Sequence, residues 1–172
     1  RLVSDWSSDV CSSDLNIGLT YLTQGNLSEA QRYHEQALEL YRELGNRNGE
    51  GIALSNLGWA YSTLGRHTDA LQVYEQARQI FVELDNVAQQ ATGANNLGSV
   101  YLDLGESSEA LRYYNLALAG HRTSGDRQGE ATTLNNLGYA YAEEGDLVAA
   151  RRYYEQRSEE RRVGKECRSR WS

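Results

Sequence analysis

The sequence predicts an all-α fold, a solenoid of antiparallel helix pairs, and three observations predict it. Gly18, Gly58, Gly98 and Gly138 stand 40 residues apart, and the same shift superposes Tyr21, Tyr61, Tyr101 and Tyr141, then Ala30, Ala70, Ala110 and Ala150, without a gap. A repeat of this length marks an array of supersecondary units. Within each copy, apolar residues recur at steps of three and four, the period of a helix face. Glycine punctuates each copy at fixed places, as helix stops do.

The elements follow in order within one copy. In GIALSNLGWAYSTLG, the residues Leu54, Leu57, Tyr61 and Leu64 form one stripe, which defines helix A. In TDALQVYEQARQIFVELD, the same steps link Ala70, Val73, Tyr74, Ala77, Ile80, Phe81 and Leu84, which defines helix B. Between them stands Gly65-Arg66, and the corresponding breaks are Gly25-Asn26, Gly105-Glu106 and Gly145-Asp146. Glycine takes the left-handed conformation that ends a helix, and Asn26 or Asp146 can cap the next one. A turn this short folds the helices back as a hairpin. Copies are joined by ELGNRNGE, ELDNVAQQ and TSGDRQGE, in which Gly45 and Gly125 again read as stops.

The register fails at both ends. Arg157 occupies the slot of Ala37, Ala77 and Ala117, and nothing before Asn16 fits the first copy. Both cysteines (Cys11, Cys167), the only lysine (Lys165) and two tryptophans (Trp6, Trp171) lie in these ends. Residues 157–172 can be back-translated to a sequence opening AGATCGGAAGAGC, and residues 5–15 to one closing with its reverse complement, which resembles the stem that ligated sequencing adapters share. We therefore expect residues 1–15 and 157–172 to be adapter-derived and residues 16–156 to be the repeat array, about four copies with the first and last truncated. Such segments stand outside functional reasoning. A helix is nevertheless expected to run through Gln156 into Val163, with Gly164 the first breaker.

The formal charge is −7, and setting aside the two ends leaves ten bases against eighteen acids, a net −8 for residues 16–156. Nucleic-acid binding depends on Lys and Arg neutralising phosphates, so an acidic, lysine-free array argues against it. Nor does any apolar run approach the roughly 18 residues needed to span a bilayer. These readings place the segment in the cytoplasm, away from membranes. Both thiols lie in the ends, so cysteine usage carries no information about redox compartment.

At LSNLGWAYSTLGRHTDALQVYEQA and LNNLGYAYAEEGDLVAARRYYEQ the sequence resembles a tetratricopeptide repeat, and the resemblance covers residues 16–156. It rests on the Leu-Gly of helix A with tyrosine three residues on, and on the small, aromatic, small series Ala70, Tyr74, Ala77 of helix B. The chain departs from the family in lacking the proline that often closes helix B and in a period of 40 instead of about 34. The longer period resembles the subclass of kinesin light chains, spindle-orientation adaptors and many bacterial multidomain regulators. The resemblance implies a right-handed superhelical stack in which each hairpin covers its neighbour. The last hairpin should then carry an uncovered apolar side. Glycine inside a helix costs roughly 1 kcal/mol relative to alanine, so Gly58 and its equivalents need a reason. Close approach of helix B, which presents Ala70 and Ala77, is the simplest one.

The candidate function lies on the other face of helix A. Measured from Asn56, Trp59 and Thr63 fall within about 60°, whereas Leu57, Tyr61 and Leu64 lie about 80° to 140° away. Asparagine fills the Asn56 slot in every copy, as Asn16, Asn96 and Asn136. Its amide competes with the helix backbone for hydrogen bonds, so its recurrence in a helix interior needs a cause. The family resemblance implies that such asparagines line a concave face and bond the backbone of an extended peptide, since one amide offers two donors and an acceptor. Trp59 and Tyr139 would add apolar or stacking platforms, and Asp103 and Glu143 acidic contacts. The competing reading is that the asparagines only tie neighbouring helices together.

Enzyme readings fail in the same register. His34 shares its slot with Tyr74, Tyr114 and Tyr154; His121 with Tyr41 and Phe81; His67 with Leu27, Ser107 and Leu147. No copy gathers a triad, a zinc motif or a phosphate loop. No catalytic residue, cofactor site or metal site is expected. The expected function is a protein-interaction scaffold whose partner is a protein or peptide carrying basic residues. The alternative is a regulatory or sensory arm of a larger protein whose effector, an ATPase, peptidase or transcription-factor domain, lies elsewhere.

Overall fold

The computed structural model describes the backbone of residues 2–169 and the side chains of residues 13–159. Most of the two ends assigned to adapter thus lies outside the described side chains. Among the described residues the chain is helical throughout: α1 Leu2–Thr23, α2 Leu27–Glu43, α3 Arg47–Thr63, α4 His67–Glu83, α5 Val87–Asp103, α6 Ser107–Ser124, α7 Arg127–Glu143 and α8 Leu147–Ser169. Odd-numbered helices are the helices A of the repeat and even-numbered ones the helices B. The chain divides into two compact units, residues 1–86 with α1–α4 and residues 87–172 with α5–α8.

The turns form where the glycines predict them. Gly25, Gly65, Gly105 and Gly145 adopt φ between +73° and +82°, and Gly45 and Gly125 +64° and +72°. At the α2–α3 turn the Asn46 N–H donates to the Tyr41 carbonyl at 2.9 Å and the Gly45 N–H to Arg42 at 3.1 Å, so the last carbonyls of α2 are satisfied. Asn46 Oδ1 and Asp126 Oδ1 then cap α3 and α7 by accepting from the N–H groups of Gly49 and Gly129, each at 2.9 Å. Asn26 and Asp146 cap α2 and α8 as expected. ELDNVAQQ lacks the glycine, and Asp85 takes its place at φ +51°. Aspartate is among the few residues that tolerate this conformation. At the other end of the chain α8 runs on to Ser169, past the expected stop at Gly164. One interior glycine costs too little to end a helix.

In unit 1, α1 pairs with α2 and α3 with α4, while α2 packs on α3. Its core joins Leu38 and Tyr41 of α2 to Ala53, Leu54 and Leu57 of α3 and to Ala77, Ile80 and Phe81 of α4. Unit 2 repeats the pattern, with Ala110, Tyr114 and Leu118 of α6 against Leu134, Leu137 and Ala140 of α7. On α8, Ala150 in the slot of Ala110 stays buried at 4%, but Tyr154 is 37% exposed where Tyr114 is 1%, and Leu147 and Val148 are 70% and 84% exposed. Ala110 has no exposed surface, so Ala110→Leu is expected to cost about 1 to 3 kcal/mol by overpacking, read as a lower thermal midpoint. An unchanged midpoint would argue against this register.

Two sequence expectations need correction. Leu64 and Leu84 do not belong to the apolar stripes; they are 41% and 42% exposed. Both are C-cap residues, placed where the chain leaves the helix for the glycine or Asp85 turn, so the helical angle no longer fixes their direction. The mid-helix glycines answer to an aromatic ring rather than to the alanines. A Cβ at Gly58 would lie 2.5 Å from the ring of Tyr74, at Gly98 2.7 Å from Tyr114, at Gly138 2.6 Å from Tyr154 and at Gly18 2.5 Å from His34. Alanines Ala70 and Ala77, with no exposed surface, let helix B come close, and the ring between them fills the space the glycine vacates.

Ion pairs bind helix B to the next helix A. Arg42 Nε donates to Glu50 Oε1 at 2.8 Å, and Arg122 Nε to Glu130 Oε1 at 2.6 Å, with both carboxylates on residues only 8% exposed. Burial pushes the Glu50 carboxyl up, but its hydrogen bonds to Arg42 and Arg47 outweigh this and hold it below the usual range. In the intervening copy these slots hold Val82 and Gln90, which carry no charge.

Candidate functional site

Helical geometry places Thr92, Asn96, Ser99 and Asp103 on one side of α5, and Thr132, Asn136, Tyr139 and Glu143 on one side of α7. The two helices touch within unit 2, as α1 and α3 do within unit 1. The asparagine slot is therefore present twice as a pair on adjacent helices, Asn16 with Asn56 and Asn96 with Asn136. Asn16 is exposed, while Asn56, Asn96 and Asn136 are half-buried. Trp59 is 44% and Tyr139 51% exposed, large apolar surfaces left to solvent on helices A. Asp103 and Glu143 are exposed at the last residue of α5 and of α7.

The asparagines are not equivalent in their bonding. Asn56 and Asn96 make no side-chain hydrogen bond among the described residues. The Nδ2 of Asn136 donates to Asn95 Oδ1 at 3.1 Å, and the same oxygen accepts from Thr133 Oγ1 at 3.1 Å. Asn95, which the 40-residue register did not single out, is thus the link between α5 and α7. A sequence signal existed, since ANNLG and LNNLG carry paired asparagines where the second copy has LSNLG.

Beside this link lies a polar cleft of about 420 Å³. Thr92, Asn95 and Asn96 of α5 line one side of it, and Gln128, Gly129 and Thr132 of α7 the other. His121 and Asp126 also line it, with His121 Nδ1 3.0 Å from Asp126 Oδ2 but out of line for a hydrogen bond. His121 is 3% exposed and its ring occupies the space a Cβ on Gly129 would need. No lysine or arginine lines the cleft, so its only formal charge comes from Asp126.

The remaining histidines gather no chemistry. His34 has no exposed surface and neither ring nitrogen has a hydrogen-bond partner. Among the described residues no three His, Cys, Asp or Glu side chains are placed to hold a metal ion. Likewise, no helix among them is long and apolar enough to cross a membrane.

Antiparallel hairpins in a strict 40-residue register, each with a helix-A glycine under a helix-B ring, define a helical repeat protein. The tetratricopeptide repeat profile matches residues 9–81 and 89–159, and the chain belongs to that family. No curated protein is matched by the sequence. Among solved structures, the chain is similar to BtubC (BKLC) from P. vanneervenii, at 23% identity and a TM-score of 0.81, covering 92% of this chain and 66% of that one. It is similar to the apo form of RapI, at 18% identity and a TM-score of 0.82, covering 92% and 58%. It is also similar to the Rap conjugation gene regulator of plasmid pLS20 in complex with the Phr* peptide, at 20% identity and a TM-score of 0.75, covering 85% and 41%. The chain thus spans two thirds or less of the length of these proteins, and at such identities the likeness is one of fold.

Proposed function

We propose that this chain is a protein-interaction scaffold that holds an extended peptide segment of a partner against the asparagine-bearing side of its helices A, the face that the family resemblance makes concave. The observation that carries the reading is the amide repeated in a helix-interior slot, with Asn56 and Asn96 making no side-chain hydrogen bond among the described residues. Asparagine there is a poorer helix former than alanine, so a position that gains nothing from its neighbours is explained by a ligand. Each such amide matches one peptide unit without reading its side chain. Exposed Trp59 and Tyr139 supply apolar contact, and Asp103 and Glu143 favour a segment carrying Lys or Arg. Support also comes from structural neighbours of the same fold described as complexes with the Phr* peptide and with competence and sporulation factor.

The test is the double variant Asn56→Ala/Asn96→Ala against a panel of decapeptides with Lys or Arg at alternate positions. Its melting temperature should equal or slightly exceed that of the wild type, because alanine raises helix propensity. Its binding should weaken about tenfold or more, about 1.4 kcal/mol, and wild-type binding should weaken as salt rises. A variant that melts several degrees lower yet binds like the wild type would show that the amides serve the fold alone.

A second reading, a regulatory arm of a longer protein, is favoured by the share of the neighbours that the chain spans, 41% to 66%. Assembly of the flanking genomic sequence distinguishes it, since an ATPase, peptidase or transcription-factor motif beside the array would be its effector.

A further inference from the structure

We propose that Asn95, one position before the repeated asparagine slot, is the residue of the second unit that grips a bound main-chain carbonyl, with Thr133 and Asn136 as its positioning residues; this rests on the scaffold reading above. Asn95 Oδ1 accepts from Thr133 Oγ1 and from Asn136 Nδ2, each at 3.1 Å. Turning the Asn95 amide over would set its N–H groups against Asn136 Nδ2, whereas the Thr133 hydroxyl can donate or accept. With Asn136 as placed, the amide is oriented from α7, where Thr133 has no exposed surface. Both N–H groups of Asn95 Nδ2 are left without a partner among the described residues, and the side chain lines the polar cleft.

An N–H donor held at a groove wall matches a carbonyl oxygen, which accepts it through a lone pair. Covering the Asn95 donors with an apolar group would leave them desolvated and unpaired, a penalty that rejects ligands lacking an acceptor at that point. Asn96, with its amide uncommitted, stands beside it on the same wall. The ligand class is thus an extended peptide backbone, read at one carbonyl. Unit 1 lacks the device, because on α1 and α3 the slot of Asn95 holds Leu15 and the slot of Thr133 holds Ala53. Asn136 on this account acts through Asn95 and does not touch the ligand.

Side-chain amide NMR and the same decapeptide panel test this. Thr133→Val and Asn136→Ala should each shift the Asn95 side-chain NH₂ signals, while Thr133→Ser, which keeps the hydroxyl, should not. For the tightest peptide of the panel, Asn95→Ala should weaken binding about tenfold or more. Asn136→Ala should weaken it in the wild type but by less than about twofold in the Asn95→Ala background, since a positioning residue has nothing left to position. Thermal melts establish that each variant is folded. Equal losses from Asn136→Ala in both backgrounds would mean that Asn136 meets the peptide itself, and unmoved Asn95 signals would mean that α7 does not hold the amide. Either overturns the inference while leaving the scaffold reading standing. A wild type that binds no peptide of the panel overturns the scaffold reading, and the ligand assignment with it, whatever the NMR shows.

Discussion

Gly98→Ala is expected to destabilise the protein by about 1 to 2 kcal/mol, although alanine is the better helix former by about 1 kcal/mol. The added Cβ would lie 2.7 Å from two ring carbons of Tyr114 and 3.2 Å from the Ala110 carbonyl oxygen. Tyr114 has little room to withdraw. It is 1% exposed, packs against Leu134 and Leu137, and its hydroxyl donates to Ser99 Oγ at 3.1 Å. Overpacking of a filled site by one methyl therefore outweighs the propensity gain. For units of this size the thermal midpoint should fall by several degrees. In a Tyr114→Ala background the same change should become neutral or favourable, because the ring is gone and the propensity term remains. A rise in midpoint for Gly98→Ala alone would show that the ring does not sit where we place it.

Acid should destabilise unit 1 through His34, and His34→Tyr should remove that component. The imidazole has no exposed surface and no hydrogen-bond partner, and burial holds its pKa down at about 4, against an ordinary value of 6.5. The unfolded chain thus takes up a proton that the native chain refuses. The stabilising contribution of a neutral His34 is complete above pH 6.5, erodes as pH falls below it, and is exhausted near pH 4. At about 1.36 kcal/mol per unit of pKa difference, the loss reaches about 3 kcal/mol. Tyrosine fills the same slot as Tyr74, Tyr114 and Tyr154 and does not titrate there in acid. Urea midpoints between pH 7 and pH 4 should separate the two proteins increasingly as pH drops. Parallel curves would mean that His34 is solvated or paired in the native state.

Much of this fold is legible without coordinates because it is local. The 40-residue register, the helix spans, and the turns at Gly25, Gly45, Gly65, Gly105, Gly125 and Gly145 follow from periodicity and from backbone preferences that act within a few residues. The same holds for the caps by Asn26 and Asp146. The candidate face is legible in part, since the repeated asparagine slot and the exposed Trp59 and Tyr139 can be placed by counting at 100° per residue.

What counting along the chain could not supply is everything that depends on how far one helix is shifted against another. The repeat required small residues at the A–B contact, but only docking shows that a ring, and not an alanine, occupies the space over Gly18, Gly58, Gly98 and Gly138. Arg42 meets Glu50, and Arg122 meets Glu130, across a turn whose geometry no spacing rule states. Asn95, Thr133 and Asn136 are 38 and 41 residues apart, near but not at the repeat period, so a slot-by-slot reading passes over the bonds between them. Hydrogen bonds and side-chain spacing within one segment fix the helices, their number per copy and their ends other than that of α8, and so these can be read along the chain. The tertiary structure alone decided which amides are committed and which are left free, because a hydrogen bond between helices depends on an offset of a few ångströms that no single segment encodes.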